Sequence, residues 1–203
     1  MTDSWDDSYS KPEPAPWDIG RPQPAFARLA EAGLLRGRLL DSGCGTGEHT
    51  LLAAEHGADA TGVDISPSAI ATARAKAAAR AAESGEPVSA RFEVADVLDL
   101  PGLRDTFDTV IDSGVFHVFS DTDRPRYVAS LASVLRPGGA CYLACFSDRQ
   151  PGTWGPRRVT RQELQAAFAV GWTVESIAAE AFHVNPVQGT TQVQAWLAAI
   201  RRD

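Results

Sequence analysis

The chain has 203 residues, of which 44% are hydrophobic and 22% charged, with a formal net charge of −7. This suits one globular domain with room for a substantial core, and the acidic balance argues against a nucleic-acid backbone or an anionic membrane as the main partner. No apolar run approaches membrane-spanning length and the start is acidic and polar rather than basic and then apolar, so the expectation is a cytoplasmic protein acting on a small molecule.

In chain order, residues 1–16 are rich in Asp, Ser and Pro and lack an apolar period, which predicts a poorly ordered segment. The string Trp17-Asp18-Ile19-Gly20-Arg21-Pro22-Gln23-Pro24 then puts a large aromatic and a carboxylate just ahead of a short helix over 26–33, closed by Gly33. Trp17 reads either as part of a cover over a site or as an anchor tying the tail to the surface. Residues 1–20 are accordingly set apart as a lid or tail, with a single domain over 21–203.

The apolar run into Asp41 reads as a buried parallel strand, and Asp41-Ser42-Gly43-Cys44-Gly45-Thr46-Gly47 as a sharp loop that lets a ligand lie against bare backbone. A helical pattern resumes at Glu48. A Walker loop is excluded because no lysine follows Gly47, and a dinucleotide fingerprint because Glu48 stands where its third glycine belongs. Residues 60–64 read as a second strand whose terminal Asp64 can accept two hydrogen bonds from vicinal ribose hydroxyls, or can merely end the strand and help start the next helix.

The Asp-x-Gly-x-Gly-x-Gly string resembles the first motif of class I S-adenosylmethionine-dependent methyltransferases. The resemblance implies an α/β fold, a Rossmann-like seven-stranded, mostly parallel sheet with helices on both faces and an antiparallel C-terminal hairpin, with S-adenosyl-L-methionine as cofactor. It also implies that Ser42, Gly43, Gly45 and Gly47 pass under the methionine end, that Asp41 helps hold the ammonium group, and that Asp64 and Ile65 lie at the ribose. The Trp-Asp-x-Gly-x-Pro-x-Pro string resembles the amino-terminal signature of the thiopurine, thiol/halide and heterocycle methyltransferases, in which this segment folds over the cofactor; Trp17 would then touch cofactor or substrate.

Ser66 and Pro67 begin an alanine-dominated helix through about Glu83, on which Arg74, Lys76 and Arg80 read as a solvated face. A third strand over 88–95 ends at Asp96; the resemblance gives Asp96 to the adenine amino group and Val97 to the ring and its backbone contact, with Asp99 as a competitor. A fourth strand over 107–112 leads into residues 113–119, which by the same likeness line the reaction centre, with Asp112 at the cofactor. Asp112-Ser113-Gly114-Val115 differs from the Asp/Asn-Pro-Pro-aromatic motif of DNA and protein-glutamine methyltransferases. Ser113 also replaces the arginine of thiopurine-type relatives, so the nearer likeness is to bacterial heterocycle or small-phenol enzymes.

His117 is the candidate general base; the alternative is a histidine packed between Phe116 and Val118 and bonding a backbone carbonyl. His183 is a second candidate, and His49 and His56 lack a third ligand for a metal. A helix from caps at 121–123 to Leu135, a Pro-Gly-Gly turn, a buried strand over 140–146, a loop over 147–158 around Trp154, a helix over 161–168, a strand over 172–177 and a closing hairpin complete the chain. Cys44, Cys141 and Cys145 read as reduced thiols.

The function expected is methyl transfer to an O, N or S nucleophile of a small aromatic or heterocyclic acceptor. A non-catalytic cofactor-binding module and a thiol/halide methyltransferase are the alternatives. The sequence leaves the oligomeric state open.

Overall fold

In a computed structural model that describes residues 2–203, the apolar run before Asp41 forms β1 (Arg38–Ser42), with Leu39 and Leu40 fully buried. It lies between β2 (Asp59–Asp64) and β4 (Phe107–Ser113), all parallel, and β3 (Ala90–Val94) extends the sheet beyond β2. On the other side stand β5 (Leu135–Phe146), parallel to β4, and the antiparallel pair β6 (Trp172–Val187) and β7 (Thr190–Arg202). The seven strands run in the order β3-β2-β1-β4-β5-β7-β6. The order reverses between β1 and β4, and in such sheets the crevice at that switch point, outside the carboxyl ends, is where ligands bind.

Two apolar layers cover the sheet. On one face α2 (Pro24–Glu31) and α3 (Glu48–Glu55) place Phe26, Leu52 and Ala53 against Leu39, Ile111 and Tyr142. On the other, α5 (Asp123–Val134) and α6 (Arg161–Ala167) bring Tyr127, Leu131 and Leu164 against Leu40, Val110 and Leu143. The alanine-rich α4 (Pro67–Ser84) packs Ile70 and Ala73 on Phe92 of β3, capped by Ser66 at its start and by left-handed Gly85 at its end. Gln188 and Gly189, both at positive φ, close the β6–β7 hairpin.

Three expectations need correction. The tail expected to be poorly ordered holds a helix, α1 (Thr2–Tyr9), that packs on α4; Met1 lies outside the described residues. Arg74 is exposed as expected, but Lys76 and Arg80 are half-buried and not simply a solvated face. Arg74 donates to the Phe92 carbonyl, while Lys76 and Arg80 grip the buried Glu48 at 2.7 and 3.0 Å. The sixth strand runs ten residues past Ile177, to Val187, because β7 pairs with it along that length through bulges at 174–176 and 183–187.

Candidate functional site

The glycine loop crosses the carboxyl edge of β2 because the amides of Gly43 and Cys44 both donate to the Val63 carbonyl, at 2.9 and 2.8 Å. Gly43, Gly45 and Gly47 have φ of +74, +52 and +88°, a region that β-carbon-bearing residues avoid. A β-carbon on Gly43 would collide with Val115, and one on Gly47 would lie 2.8 Å from the Phe92 ring.

Asp64 braces this loop. One carboxylate oxygen accepts from the Gly45 amide at 2.9 Å and the other from the Ser66 amide at 2.9 Å, while Ile65 carries the chain between the two. The Ala95 amide donates to the Asp64 carbonyl at 3.0 Å, which places Asp96 on the same edge. Asp96 is exposed and accepts from Leu98 N–H at 2.9 Å, starting the 3-10 turn Val97–Leu103 with Val97 buried. Asp41 is fully buried: one oxygen accepts from the Thr50 hydroxyl at 2.7 Å, and Oδ1 has no partner among the described residues.

Burial pushes the Asp41 carboxyl up to about 7, the Thr50 hydroxyl holding it back and the charges of Asp64 and Asp112 raising it further. Burial likewise raises Asp64, against the pull of the Ser66 and Gly45 amides. Asp112, also buried, is pushed up to about 6 despite the donors around it. Three acids thus converge on one edge, and none makes an ion pair among the described residues. Such a field favours a cationic ligand over a pyrophosphate.

Asp112 is occupied by its own loop. It accepts from Val115 N–H at 2.7 Å, Phe116 N–H at 3.0 Å and the Tyr127 hydroxyl at 2.9 Å. Tyr127, fully buried on α5, also meets the Ser42 hydroxyl at 2.9 Å, linking the glycine loop to the loop after β4. Sequence reasoning passed over Tyr127, because its spacing on the helix is that of an ordinary core residue.

His117 lies in the turn Phe116–Val118 and is buried. Its Nδ1 accepts from the Phe146 amide at 2.9 Å, which assigns the proton to Nε2, the nitrogen facing Gly114. Burial, with the charges of Arg124 and Arg158, pushes its pKa down to about 3. The lone pair that a general base needs is already taken. Around it Phe146 meets His117, Trp154 and Phe182 edge-on at 5.0, 6.0 and 5.7 Å, an aromatic wall beside the loop.

The amino-terminal segment covers the glycine loop. Asp6 accepts from the Ser66 hydroxyl at 2.6 Å and the Ser68 amide at 2.9 Å, so α1 is pinned to the start of α4. Trp17 donates its indole N–H to the Tyr9 hydroxyl at 2.8 Å, and Tyr9 hangs over Gly45, 2.8 Å from where a β-carbon would be. Asp18 accepts from the Thr46 hydroxyl at 2.9 Å, and Asn185 holds the carbonyls of Ala15 and Asp18. Between cover and loop is a cleft of ≈ 50 Å³, lined among others by Tyr9, Trp17, Arg21, Gly43, Ser113 and Phe182. The tail's aromatic spacing, Trp5 and Tyr9 one helical turn apart, was the available signal for this cover.

The residues present fit the group that the sequence resemblance implies: an unpartnered buried carboxylate oxygen at the glycine bend suits an ammonium, and the acidic edge suits a sulfonium.

Comparison with known proteins bears on the same edge of the fold. The profile of a family described as a methyltransferase domain matches residues 39–139. A 2-heptyl-1-hydroxyquinolin-4(1H)-one methyltransferase of Mycobacteroides abscessus is 34% identical, over 91% of this chain and 83% of that protein. A probable thiol methyltransferase 2 of Arabidopsis thaliana is 28% identical, over 89% of this chain and 79% of that one. A solved structure concerned with conversion of a disulfide bond into a thioacetal group during echinomycin biosynthesis superposes with a TM-score of 0.87. It is 40% identical and covers 100% of this chain and 93% of its own. Magnesium protoporphyrin IX methyltransferase from Synechocystis PCC 6803 with bound SAH has a TM-score of 0.66 at 21% identity, over 87% of this chain and 80% of that one, a likeness of fold.

Proposed function

The chain belongs to the class I S-adenosylmethionine-dependent methyltransferases, and from that premise we propose that its acceptor is a small aromatic or heterocyclic molecule methylated at oxygen, nitrogen or sulfur. The protein is an enzyme of that class and S-adenosylmethionine is its cofactor. The bond between Asp64 and the Gly45 amide carries the assignment of the site, because it puts a carboxylate at the sheet tip directly beside the glycine bend.

In this reading the loop of Ser42, Gly43, Gly45 and Gly47 presents bare backbone to the cofactor's tail and Asp41 Oδ1 takes its ammonium group. Asp64, with Ile65 beside it, retains lone pairs for the ribose hydroxyls after serving two amides. Asp96 and Val97 offer an acceptor and an apolar face at the adenine end. Asp112 acts through Val115, Phe116 and Tyr127, holding the loop that faces the acceptor. Trp17 and Tyr9 close over the top; the ≈ 50 Å³ cleft is far smaller than a nucleoside needs, so they withdraw to admit it.

When bound, the cofactor supplies an electrophilic methyl group on a cationic sulfur. The chain contributes alignment and exclusion of water: the aromatic wall of Phe146, Trp154 and Phe182 orients a flat acceptor, and the cover seals the cleft. His117, expected as the base, is assigned instead to positioning, since its Nδ1 holds the Phe146 amide. The acceptor therefore reacts as an anion or loses its proton to solvent.

A sulfur acceptor stays within the proposal on the strength of the thiol methyltransferase relative and of the solved structure at 40% identity. Three buried, unpaired cysteines favour a reducing compartment, the cytoplasm. The test is a screen of phenols, hydroxyquinolones, thiols and halides with methyl-labelled cofactor. Label transfer to a phenol, hydroxyquinolone or aromatic thiol is expected; transfer only to aliphatic thiols or halide ions, or to none, overturns the aromatic-acceptor reading.

A further inference from the structure

A cavity of ≈ 550 Å³ opens at the edge of the sheet opposite the glycine loop, between the segment that enters β1 and the Pro-Gly-Gly turn of β5. Its size is that of a small-molecule site, whereas the cleft under the cover holds ≈ 50 Å³. Because β1, β4 and β5 are parallel, a ligand here lies at their amino ends, a strand's length from the carboxyl edge where the glycine bend stands.

Two side chains that line it carry unused donors. Tyr142 is only 9% exposed, its ring packed in the apolar layer with Leu39 and Ile111, and its hydroxyl has no hydrogen-bond partner among the described residues. Burial raises the phenol's pKa, with Glu175 raising it further against the pull of Arg36, so the hydroxyl stays protonated and can only donate its proton to an incoming acceptor. Arg36 makes no ion pair among the described residues, and the Thr109 hydroxyl donates to its carbonyl at 2.9 Å, fixing the backbone from which the guanidinium leaves. The neighbouring charges are already matched. Arg136 pairs with Asp108, whose Oδ2 accepts from the Arg38 amide at 2.7 Å, and Glu175 pairs with Arg201 at 3.0 Å. One positive charge is thus left over in a chain of net charge −7. Leu34, 37% exposed, and Pro137 add apolar surface to the wall.

We propose that this cavity is a second binding site, separate from the catalytic cleft, for a small carboxylic acid with an apolar body. The carboxylate oxygens take the Arg36 guanidinium and the Tyr142 hydroxyl, while the apolar body lies against Leu34, Pro137 and the Tyr142 ring. A phosphate dianion suits the site less well, because a single unmatched cation beside the Asp108 carboxylate leaves part of its charge uncompensated. The proposal stands apart from the cofactor assignment.

The test is calorimetric titration of benzoate, phenylacetate and octanoate into the unaltered protein with S-adenosylhomocysteine present, with the corresponding amides and inorganic phosphate as controls. At least one acid is expected to bind with a dissociation constant below about 1 mM, and its amide and phosphate at least about tenfold more weakly. Arg36→Gln should weaken the acid at least about tenfold and Tyr142→Phe about threefold to tenfold, with S-adenosylhomocysteine affinity kept within about twofold in both. Neither change should unfold the protein, since Arg36 is exposed and Tyr142 loses only a hydroxyl without a partner. No binding by any of the acids overturns the proposal, and so does binding that the amide or phosphate matches, or that both variants leave unchanged. Binding that appears only when S-adenosylhomocysteine is withheld overturns it too, because the acid would then occupy the catalytic cleft. Failure of the unaltered protein to bind S-adenosylhomocysteine would sink the cofactor assignment, while the acid titrations of the two variants would still decide this site.

Discussion

Asp41, Asp64 and Asp112 are buried at the carboxyl edge of the sheet and fixed by amides of the loops after β1, β2 and β4 and by hydroxyls of α3 and α5, whereas Asp6, Tyr9 and Trp17 of the cover are half-buried or exposed and reach the domain through a few side-chain bonds. One half of the site is therefore built into the core and pre-organised, and the other half is attached to it. Substitutions in the edge should change stability and binding together; those in the cover should change rates of entry and exit while the fold stays intact.

Gly43→Ala should break the edge most severely. The added methyl meets Val115 while the backbone stays at φ +74°, and unfolding in urea should show a loss of roughly 2–4 kcal/mol together with loss of cofactor binding. A change under about 1 kcal/mol would mean that the loop has slack.

Asp41 gives the next effect, and its sign is specific. Its folded pKa of about 7 exceeds the ordinary 3.8, so in that interval the folded state holds more protons than the unfolded one and this residue's contribution to stability falls as pH rises from about 4 to about 7. His49 and His117, lowered to about 4 and about 3 chiefly by burial, work in the opposite direction, so the comparison must be made against a variant. The stability of Asp41→Asn relative to the unaltered protein should grow across that window and level off above it. A pH-independent difference would show that Asp41 is not strained by burial.

His117→Asn retains an acceptor for the Phe146 amide and should lower kcat less than about tenfold, against the 10²–10⁴-fold expected for removal of a general base. A larger fall that is rescued at high pH would restore His117 as the base.

Tyr9→Phe should be the mildest change. It deletes the acceptor for the Trp17 indole, worth about 0.5–1.5 kcal/mol of cover closure, and stopped-flow should show cofactor release accelerated by up to about tenfold with the melting temperature unchanged. Release at the original rate would mean that the cover is not held by this bond.

The same contrast explains what was legible in the sequence. The glycine bend, the strand ends at Asp64 and Asp96, and the Ser66 cap are written in adjacent residues, so local rules find them. The helix α1 is not written locally: Asp6 finds its partners 60 and 62 residues away, and Tyr9 reaches Gly45 only after the chain has folded. Lys76 and Arg80 look like solvated charge because the acid they grip, Glu48, is 28 and 32 residues away. His117 was read correctly as lying in the loop after β4. Only the amide of Phe146, delivered by β5, decides which of its nitrogens carries the proton.

The most direct measurement is calorimetric titration of S-adenosylhomocysteine into the unaltered protein and Asp64→Ala. The account predicts binding that weakens by about 1–3 kcal/mol in the variant, as the ribose loses its acceptors and the Gly45 and Ser66 amides lose theirs. Equal affinity for the two proteins would remove Asp64 from the site and contradict the placement of the cofactor across the glycine bend.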